Sequence, residues 1–176
     1  FDFWKQWFNK SSTKPIVFFL FAHSSSYQTT TSIFNLRFRK IIKKTGDFFS
    51  LGLLTSTQPQ IDSKQQLVRE TNDSQKLTHR TIYDVRLSNG IVNLRKDYEM
   101  LSENEFKNDY SMGYLDRIGF RAGTATPFYF YDVSREIQLS IKLTPIFATE
   151  KSLKYLNDSF PFEKLLSVYQ KLPLSL

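Results

Sequence analysis

Short apolar runs alternate with longer amphipathic runs along this chain, and the alternation restricts the fold more than any other feature. Residues 15–22 (PIVFFLFA) form a continuous run of β-branched and aromatic residues, which is typical of a strand buried on both faces. Residues 33–46 follow with apolar residues at helical spacing and close at Gly46, the residue type favoured just past a helix end. Strands and helices in alternation predict an α/β fold with a parallel sheet or barrel.

The rest of the chain continues this pattern. We predict further strands at 47–54, within 76–87, from 107 and at 136–147, with another beginning at 172, and helices at 1–11, 61–73, 89–101 and 162–171. Functional loops in such folds follow the carboxyl ends of strands, so the candidate loops are 23–32, 55–60, 82–90, 111–132 and the region after 148. No internal repeat or linker interrupts the chain, which favours one domain over residues 1–176.

Composition and charge exclude several classes of protein. The sequence is 40% hydrophobic and 16% aromatic, which is enough for a sizeable core and too much for a disordered chain. No apolar run approaches the ~20 residues that a membrane-spanning helix needs, and the absence of cysteine excludes disulfides and Cys-based zinc sites. The net charge is +7, and its densest cluster is RFRKIIKK at 37–44. We interpret this cluster as a solvated helix face, with a nucleic-acid surface as the alternative, and we predict no nucleic-acid partner.

The chain has only two histidines, His23 and His79, and both lie near predicted strand ends. A hydrolytic metal site usually needs three protein ligands with one position left open, and neither histidine has a ligand at the usual helical spacing. We interpret both as ordinary surface or hydrogen-bonded histidines, with a metal role as the alternative. The sequence contains no Gly-rich phosphate motif and no Gly-x-Ser-x-Gly elbow.

Residues 112–132 (MGYLDRIGFRAGTATPFYFYD) carry six aromatic residues and no run of helix formers. One interpretation is a sugar-binding surface, because aromatic rings offer flat apolar faces while tyrosine hydroxyls and arginines bind polar edges. The alternative is a long connection whose buried rings cap the open end of a barrel. Three carboxylates lie in or near the segment and are interpreted as turn caps or solvated groups, with arginine pairing as the alternative: Asp109, Asp116 and Asp132. Arg121 would need a carboxylate partner if buried.

Residues 109–133 (DYSMGYLDRIGFRAGTATPFYFYDV) resemble a segment of the polysaccharide-deacetylase-like proteins of Bacteroidetes, which carry a NodB-homology domain. Weaker similarity extends over residues 14–54 and 141–156, so the resemblance covers most of the chain. It implies a distorted, incomplete (β/α) barrel of the polysaccharide deacetylase type, with fewer than eight strands. It also implies that this single domain lacks the family's first strand and its last catalytic strand.

The resemblance further implies a metal-dependent reaction whose residues this sequence does not retain. In the family a metal-bound water attacks an acetyl carbonyl, an Asp acts as base and a His acts as acid. Leu54 lies where a metal-binding His is expected, and Ile82 lies where another His is expected. Arg121 is retained, and its family counterpart orients the catalytic Asp. Because aliphatic side chains cannot ligate a hard divalent metal, we predict no catalytic residue, no metal site and no cofactor, with zinc only if other residues complete the site.

Three functions follow from these residues. The first is a non-catalytic deacetylase-like protein that acts as a binding or structural subunit, with polysaccharide or a protein covering the open barrel edge as partner. The second is a working metal-dependent carbohydrate deacetylase acting on acetylated polysaccharide, with ligands outside this chain or rearranged around the two histidines. The third is a carbohydrate-binding module. The candidate carbohydrate-binding residues are Tyr114, Phe120, Arg121, Phe128 and Tyr131.

Overall fold

The computed structural model describes residues 15–21, 31–56, 63–88 and 93–155. Within them lie strands β1 (Ile16–Leu20), β2 (Ser50–Thr55), β3 (Asp84–Leu87), β4 (Asn108–Asp109), β5 (Phe128–Asp132) and β6 (Ile137–Leu143). The helices are α1 (Leu36–Gly46), α2 (Ser63–Thr78), α3 (Leu94–Glu103) and α4 (Glu150–Tyr155). The chain forms two compact units, Phe1–Ser88 (unit one) and Asn89–Leu176 (unit two). The mixed α/β class is confirmed, whereas a barrel of the deacetylase type and a single domain stay predictions.

Unit one is a parallel sheet built from two strand–helix–strand crossovers. β2 pairs with β1 and with β3, and all three strands run in the same direction. Both helices contact β2 and each other, and their apolar side chains complete the core. Its buried members are Phe21, Ile42, Leu53, Leu67, Leu77, Ile82 and Val85. The carboxyl ends of β2 and β3 therefore lie side by side at one edge of this sheet.

The strand β1 was predicted to be buried on both faces, and that prediction is wrong. All five of its residues are only half-buried, although the strand itself lies within the predicted run. Within the described residues β1 pairs with β2 alone, so it lies at an edge of the unit-one sheet. Its continuous apolar sequence still packs against neighbours: the ring of Phe19 meets that of Phe38 edge-on, with 6.0 Å between centroids. A run of apolar residues thus identified a strand without fixing its place in the sheet.

Helix ends follow local capping chemistry that the apolar pattern does not show. Asn35 caps α1, because its side chain accepts hydrogen bonds from the backbone N–H groups of Arg37 and Phe38. The predicted boundary at residue 33 was therefore early, and Gly46 ends the helix inside its last turn. The second helix, α2, extends to Thr78, five residues beyond the predicted end at 73, so that β3 begins only at Asp84.

Unit two combines a parallel and an antiparallel strand pair. β6 pairs parallel with β4 on one side and antiparallel with β5 on the other, and α3 packs on β6. The register of β5 and β6 shifts between Tyr129 and Tyr131, where β6 contributes two extra residues. The strand β5 was not predicted, because its aromatic residues were assigned to the loop; α4 was likewise missed. The predicted helices at 1–11 and 162–171, the strand from 172 and most of loop 23–32 lie outside the described residues.

Candidate functional site

The carboxyl edge of β2 and β3 is the place where α/β folds carry their functional loops. Leu54, the position of an expected metal ligand, is half-buried there and lies opposite Arg86 in the parallel ladder. Its side chain has no atom that could bind a cation. The Ser88 hydroxyl donates a hydrogen bond to the Thr55 carbonyl oxygen, which joins the ends of the two strands.

One carboxylate, that of Glu70 on α2, lies at this edge and is almost fully buried at 1% exposure. One of its oxygens accepts a hydrogen bond from the backbone N–H of Ser56 at 3.2 Å. The other accepts one from the side-chain amide of Gln66 at 3.0 Å. One oxygen therefore holds the chain where it leaves β2, and the other is bound within α2 itself. This arrangement explains why an acidic residue stays buried in a polar helix.

The second expected ligand position, Ile82, does not lie near the first. Ile82 precedes β3, whose first residue, Asp84, lies opposite Gly52 in β2. Leu54 is further along the parallel ladder, opposite Arg86. At ~3.3 Å per residue, Ile82 is set back from Leu54 by roughly 13 Å along the strand direction. Ile82 is a core residue, buried to 5% exposure, and the structure does not bring the two positions together.

His79 adds no ligand to this edge. His79 is exposed just beyond α2, with a positive φ of 55° and a backbone N–H that donates to the Gln75 carbonyl oxygen. It therefore takes part in the end of a helix, while His23 lies outside the described residues. Across the described ranges, no group of three or more His, Cys, Asp or Glu side chains is placed to hold a metal ion.

A buried carboxylate marks the start of the aromatic segment in unit two. Asp109, at the end of β4, is fully buried, and hydrogen bonds hold both of its carboxylate oxygens. Its Oδ2 accepts from the Tyr98 hydroxyl at 3.0 Å, and its Oδ1 accepts from the backbone N–H of Ser111 at 3.1 Å and from the Ser111 hydroxyl. The predicted role of Asp109 as a turn cap is thus confirmed. Tyr98 on α3, which no local sequence signal linked to Asp109, is a side-chain partner from another element of the fold.

Burial dominates the protonation of this pair. It raises the pKa of the Asp109 carboxyl above its ordinary value, and the hydrogen bonds from Ser111 and Tyr98 oppose the rise without cancelling it. Burial also raises the pKa of the Tyr98 hydroxyl, and the neighbouring Asp109 carboxylate raises it further. Tyr98 therefore keeps its proton and acts as a hydrogen-bond donor over the whole physiological pH range.

Arg121 lies within electrostatic reach of this buried pair. Its positive charge lowers the pKa of Tyr98, although less than burial and Asp109 raise it. The residue itself is exposed, so its guanidinium remains in contact with solvent. The carboxylate of Asp109 is fully satisfied by Tyr98 and Ser111 in the same region. The charge of Arg121 thus acts on the Tyr98 hydroxyl, while Tyr98 and Ser111 hold the carboxylate.

The middle of the aromatic segment is attached to the stretch that follows β6. The backbone N–H of Gly119 donates to the Phe147 carbonyl oxygen at 2.8 Å, and the rings of Phe120 and Phe147 pack with centroids 5.4 Å apart. The Thr149 hydroxyl donates to the Tyr114 carbonyl oxygen at 3.2 Å. Gly113 lies against the Ile146 side chain, and an added Cβ would be 3.2 Å from it, so a larger residue there would require Ile146 to shift by a few tenths of an ångström. Half-buried Tyr114 and Phe120 are therefore parts of a fixed loop.

The end of the segment forms β5, whose residues alternate between two faces. Phe128 and Phe130 are half-buried; Phe128 lies opposite buried Leu143, and the Phe130 ring packs on Tyr98 with centroids 4.5 Å apart. Tyr129 and Tyr131 lie on the other face and are 50% and 52% exposed. Phe128 and Tyr131 therefore cannot share one flat binding surface. Tyr129, which sequence reasoning missed, is the neighbour of Tyr131, and strand alternation in FYFYD would have identified it.

The other charged residues of the segment behave as caps or solvated groups. Asp132 is buried, accepts a hydrogen bond from the Ser134 backbone N–H at 2.9 Å, and lies 3.9 Å from Arg135. Asp116 is exposed and pairs with Arg117 at 3.3 Å. The Arg117 guanidinium also lies over the Tyr114 ring, 4.8 Å from its centroid. These contacts fix the loop surface and leave the tyrosine face of β5 as its most exposed aromatic part.

No protein-family model, curated protein or solved structure matches this chain. The likeness to polysaccharide-deacetylase-like proteins thus stays a prediction carried by the sequence motif. In the described parts of the chain, no helix is both long and apolar enough to span a membrane.

Proposed function

We propose that this protein is a non-catalytic, polysaccharide-deacetylase-like protein that serves as a binding or structural subunit, with polysaccharide as its ligand. The single observation that carries the proposal is the contrast between its two candidate regions. Leu54 occupies the carboxyl edge of β2, where the resemblance calls for a metal ligand, whereas Tyr129 and Tyr131 present two half-exposed rings on one strand face. The proposed fold is the distorted, incomplete (β/α) barrel of the deacetylase type.

The tyrosine face has the chemistry of a sugar-binding surface. Residues 129 and 131 are two apart on one strand, so their rings are about 6–7 Å apart along it, close to the length of one sugar ring. In the antiparallel ladder Lys142 lies opposite Tyr129 and Gln138 lies opposite Tyr131, so hydrogen-bonding groups stand beside both rings. Flat apolar faces flanked by polar groups suit pyranose rings, whose faces are apolar and whose edges carry hydroxyls.

The first experiment separates binding from catalysis. Purified protein is analysed for bound divalent metal and assayed for acetate release from acetylated oligosaccharides, with and without added zinc. We expect no stoichiometric metal and no release of acetate above the uncatalysed rate. Tight stoichiometric zinc together with acetate release would replace this proposal with its alternative, a working metal-dependent deacetylase.

The second experiment tests the tyrosine face. Binding of oligosaccharides is measured by isothermal titration calorimetry for the parent protein and for the double variant Tyr129→Ala/Tyr131→Ala. We expect about ten-fold weaker binding or more, because two stacking rings are lost. Tyr83→Ala is the matched control, since Tyr83 is also about half exposed, at 47%, but lies before β3 in unit one. Equal affinity of the double variant and the parent would exclude this face.

A further inference from the structure

The helix α1 has a narrow buried side. Ile42, Thr45 and Gly46 are its buried residues, and half-buried Phe38 packs on Phe19 of β1. At 100° per residue these four positions cover less than a third of the helix circumference. The remaining surface of α1 faces away from the unit-one core.

The outer side of α1 carries a dense positive charge. Its five cations are all exposed, and the helix contains no acidic residue: Arg37, Arg39, Lys40, Lys43 and Lys44. Asp47, the first carboxylate after the helix, lies near Arg80, 3.8 Å from its guanidinium. A local field of one sign attracts polyanions and anionic surfaces much more strongly than scattered surface charges do.

Large apolar side chains stand among these cations. Leu36 is 72% exposed and Ile41 is 53% exposed, and Phe34, just before the helix, is 70% exposed. Leu36 is one helical turn from Lys40, and Ile41 is one turn from Arg37, so each of these apolar side chains has a basic neighbour on the outer side of α1. Exposed leucine and phenylalanine side chains contribute nothing to a phosphate-backbone contact, but they insert readily into the boundary between lipid headgroups and acyl chains.

We propose that the outer side of α1, with Phe34, is an interfacial site for an anionic lipid bilayer. Its basic residues contact the lipid headgroups, while Phe34, Leu36 and Ile41 enter the layer beneath them. Charge complementarity selects the anionic surface, and the exposed apolar residues distinguish a bilayer from a nucleic acid. This inference is independent of the sugar-binding face, which lies in unit two.

Co-sedimentation with lipid vesicles tests the proposal on the whole protein. One set of vesicles contains phosphatidylcholine alone, and the other contains equal amounts of phosphatidylcholine and phosphatidylglycerol. We expect binding to the anionic vesicles that weakens as salt is added, and little binding to the neutral ones. Absence of binding to anionic vesicles at low salt would overturn the proposal.

Two pairs of variants separate the contributions. Arg37→Gln/Lys40→Gln should weaken vesicle binding by about five-fold per removed charge, whereas the matched control Arg69→Gln/Lys76→Gln, on the exposed side of α2, should change it much less. Leu36→Gln/Ile41→Gln should weaken binding by about ten-fold, with Val68→Gln as its control. Circular dichroism checks that each variant keeps its helix content.

A nucleic-acid site would behave differently in the same assays. If duplex DNA competed fully with the vesicles and the Leu36→Gln/Ile41→Gln variant bound as the parent does, the surface would be a polyanion site and the lipid proposal would fail. If both charge pairs, on α1 and on α2, weakened binding equally, net charge alone would explain it and the proposal would also fail. Loss confined to the α1 variants supports it.

Discussion

The two faces of β5 carry similar residues in opposite situations. On one face Phe128 and Phe130 lie against Leu143 and Tyr98, next to a buried carboxylate with all its hydrogen bonds satisfied. On the other face Tyr129 and Tyr131 are half exposed, at 50% and 52%. The four rings are consecutive in the sequence, so composition cannot separate them. The difference teaches that the two interpretations of the aromatic segment concern different faces of one strand: the inner face is packed structure, and the outer face is the proposed binding surface.

The largest expected effect lies on the inner face. Tyr98→Ala removes a fully buried ring and leaves Asp109 without its side-chain partner on α3, so we expect the free energy of unfolding to fall by about 4 kcal/mol. Urea denaturation followed by circular dichroism measures the change. Tyr129→Ala is the control and should stay within about 0.5 kcal/mol of the parent. Similar losses in the two variants would mean that the faces do not differ.

Removing the buried carboxylate should have the next largest effect. Asp109→Ala leaves the Tyr98 hydroxyl and the Ser111 donors without an acceptor, and we expect a loss of about 2 kcal/mol. The double variant Asp109→Ala/Tyr98→Phe should lose less than the sum of the two single changes, because the phenylalanine leaves no unsatisfied hydroxyl. Strict additivity in this cycle would show that the Tyr98–Asp109 hydrogen bond is not formed in solution.

The raised pKa of Asp109 predicts a pH dependence of known sign. The pKa of an Asp in an unfolded chain is about 3.9. At pH values between this pKa and the raised pKa of Asp109 in the folded protein, the folded state binds the Asp109 proton more tightly than the unfolded state does. The contribution of Asp109 to stability is therefore greatest at low pH and declines as pH rises through this window. The variant Asp109→Asn does not titrate and serves as the reference. On acidification the free energy of unfolding of the parent should rise relative to this variant by about 1.4 kcal/mol for each unit by which folding raises the pKa of Asp109. Paired urea denaturation at several pH values measures the difference, and an opposite slope would mean that the carboxylate is stabilised in its charged form.

The smallest expected effect lies on the outer face. Tyr131→Phe keeps the ring and removes only an exposed hydroxyl, so we expect unchanged stability and about three-fold weaker oligosaccharide binding. Titration calorimetry measures the affinity, and Phe128→Leu on the inner face is the comparison, which should lower stability without a direct effect on binding. If both variants were fully folded and the Phe128 variant bound oligosaccharide more weakly than the Tyr131 variant, the proposed face would be the wrong one.

The sequence predicted the element types in most of the described chain, but it placed their ends less well. Apolar runs located β1, β2, β3 and β6, and helical spacing located α1, because these patterns are local consequences of the two backbone periods. The helices predicted at 61–73 and 89–101 correspond to α2 and α3. β2 and β3 begin later than predicted, and α2 ends later than predicted. These boundaries depend on helix capping and tertiary packing, which the local apolar pattern does not specify. β5 was not predicted, because its aromatic residues were considered only for their number. The alternation of half-buried Phe with exposed Tyr along the strand was not considered.

The candidate site shows the same division. Asp109 was interpreted, together with Asp116 and Asp132, as a turn cap or solvated group, and its bond to the Ser111 backbone N–H is a local relation of the first kind. Its partner Tyr98 is on a different element, 11 residues earlier, and only folding brings the two together. Likewise the resemblance grouped Leu54 with Ile82, although the parallel register separates them.

By itself the sequence determined the α/β class, the identity of most elements and the absence of donor atoms at Leu54, since these depend on side-chain chemistry and on neighbours along the chain. Only the tertiary structure decided that β1 is an edge strand, that Tyr98 serves Asp109, and that Tyr129 joins Tyr131 on the open face. The physical reason is that burial and pairing depend on strand register and helix packing between residues that are distant in the chain.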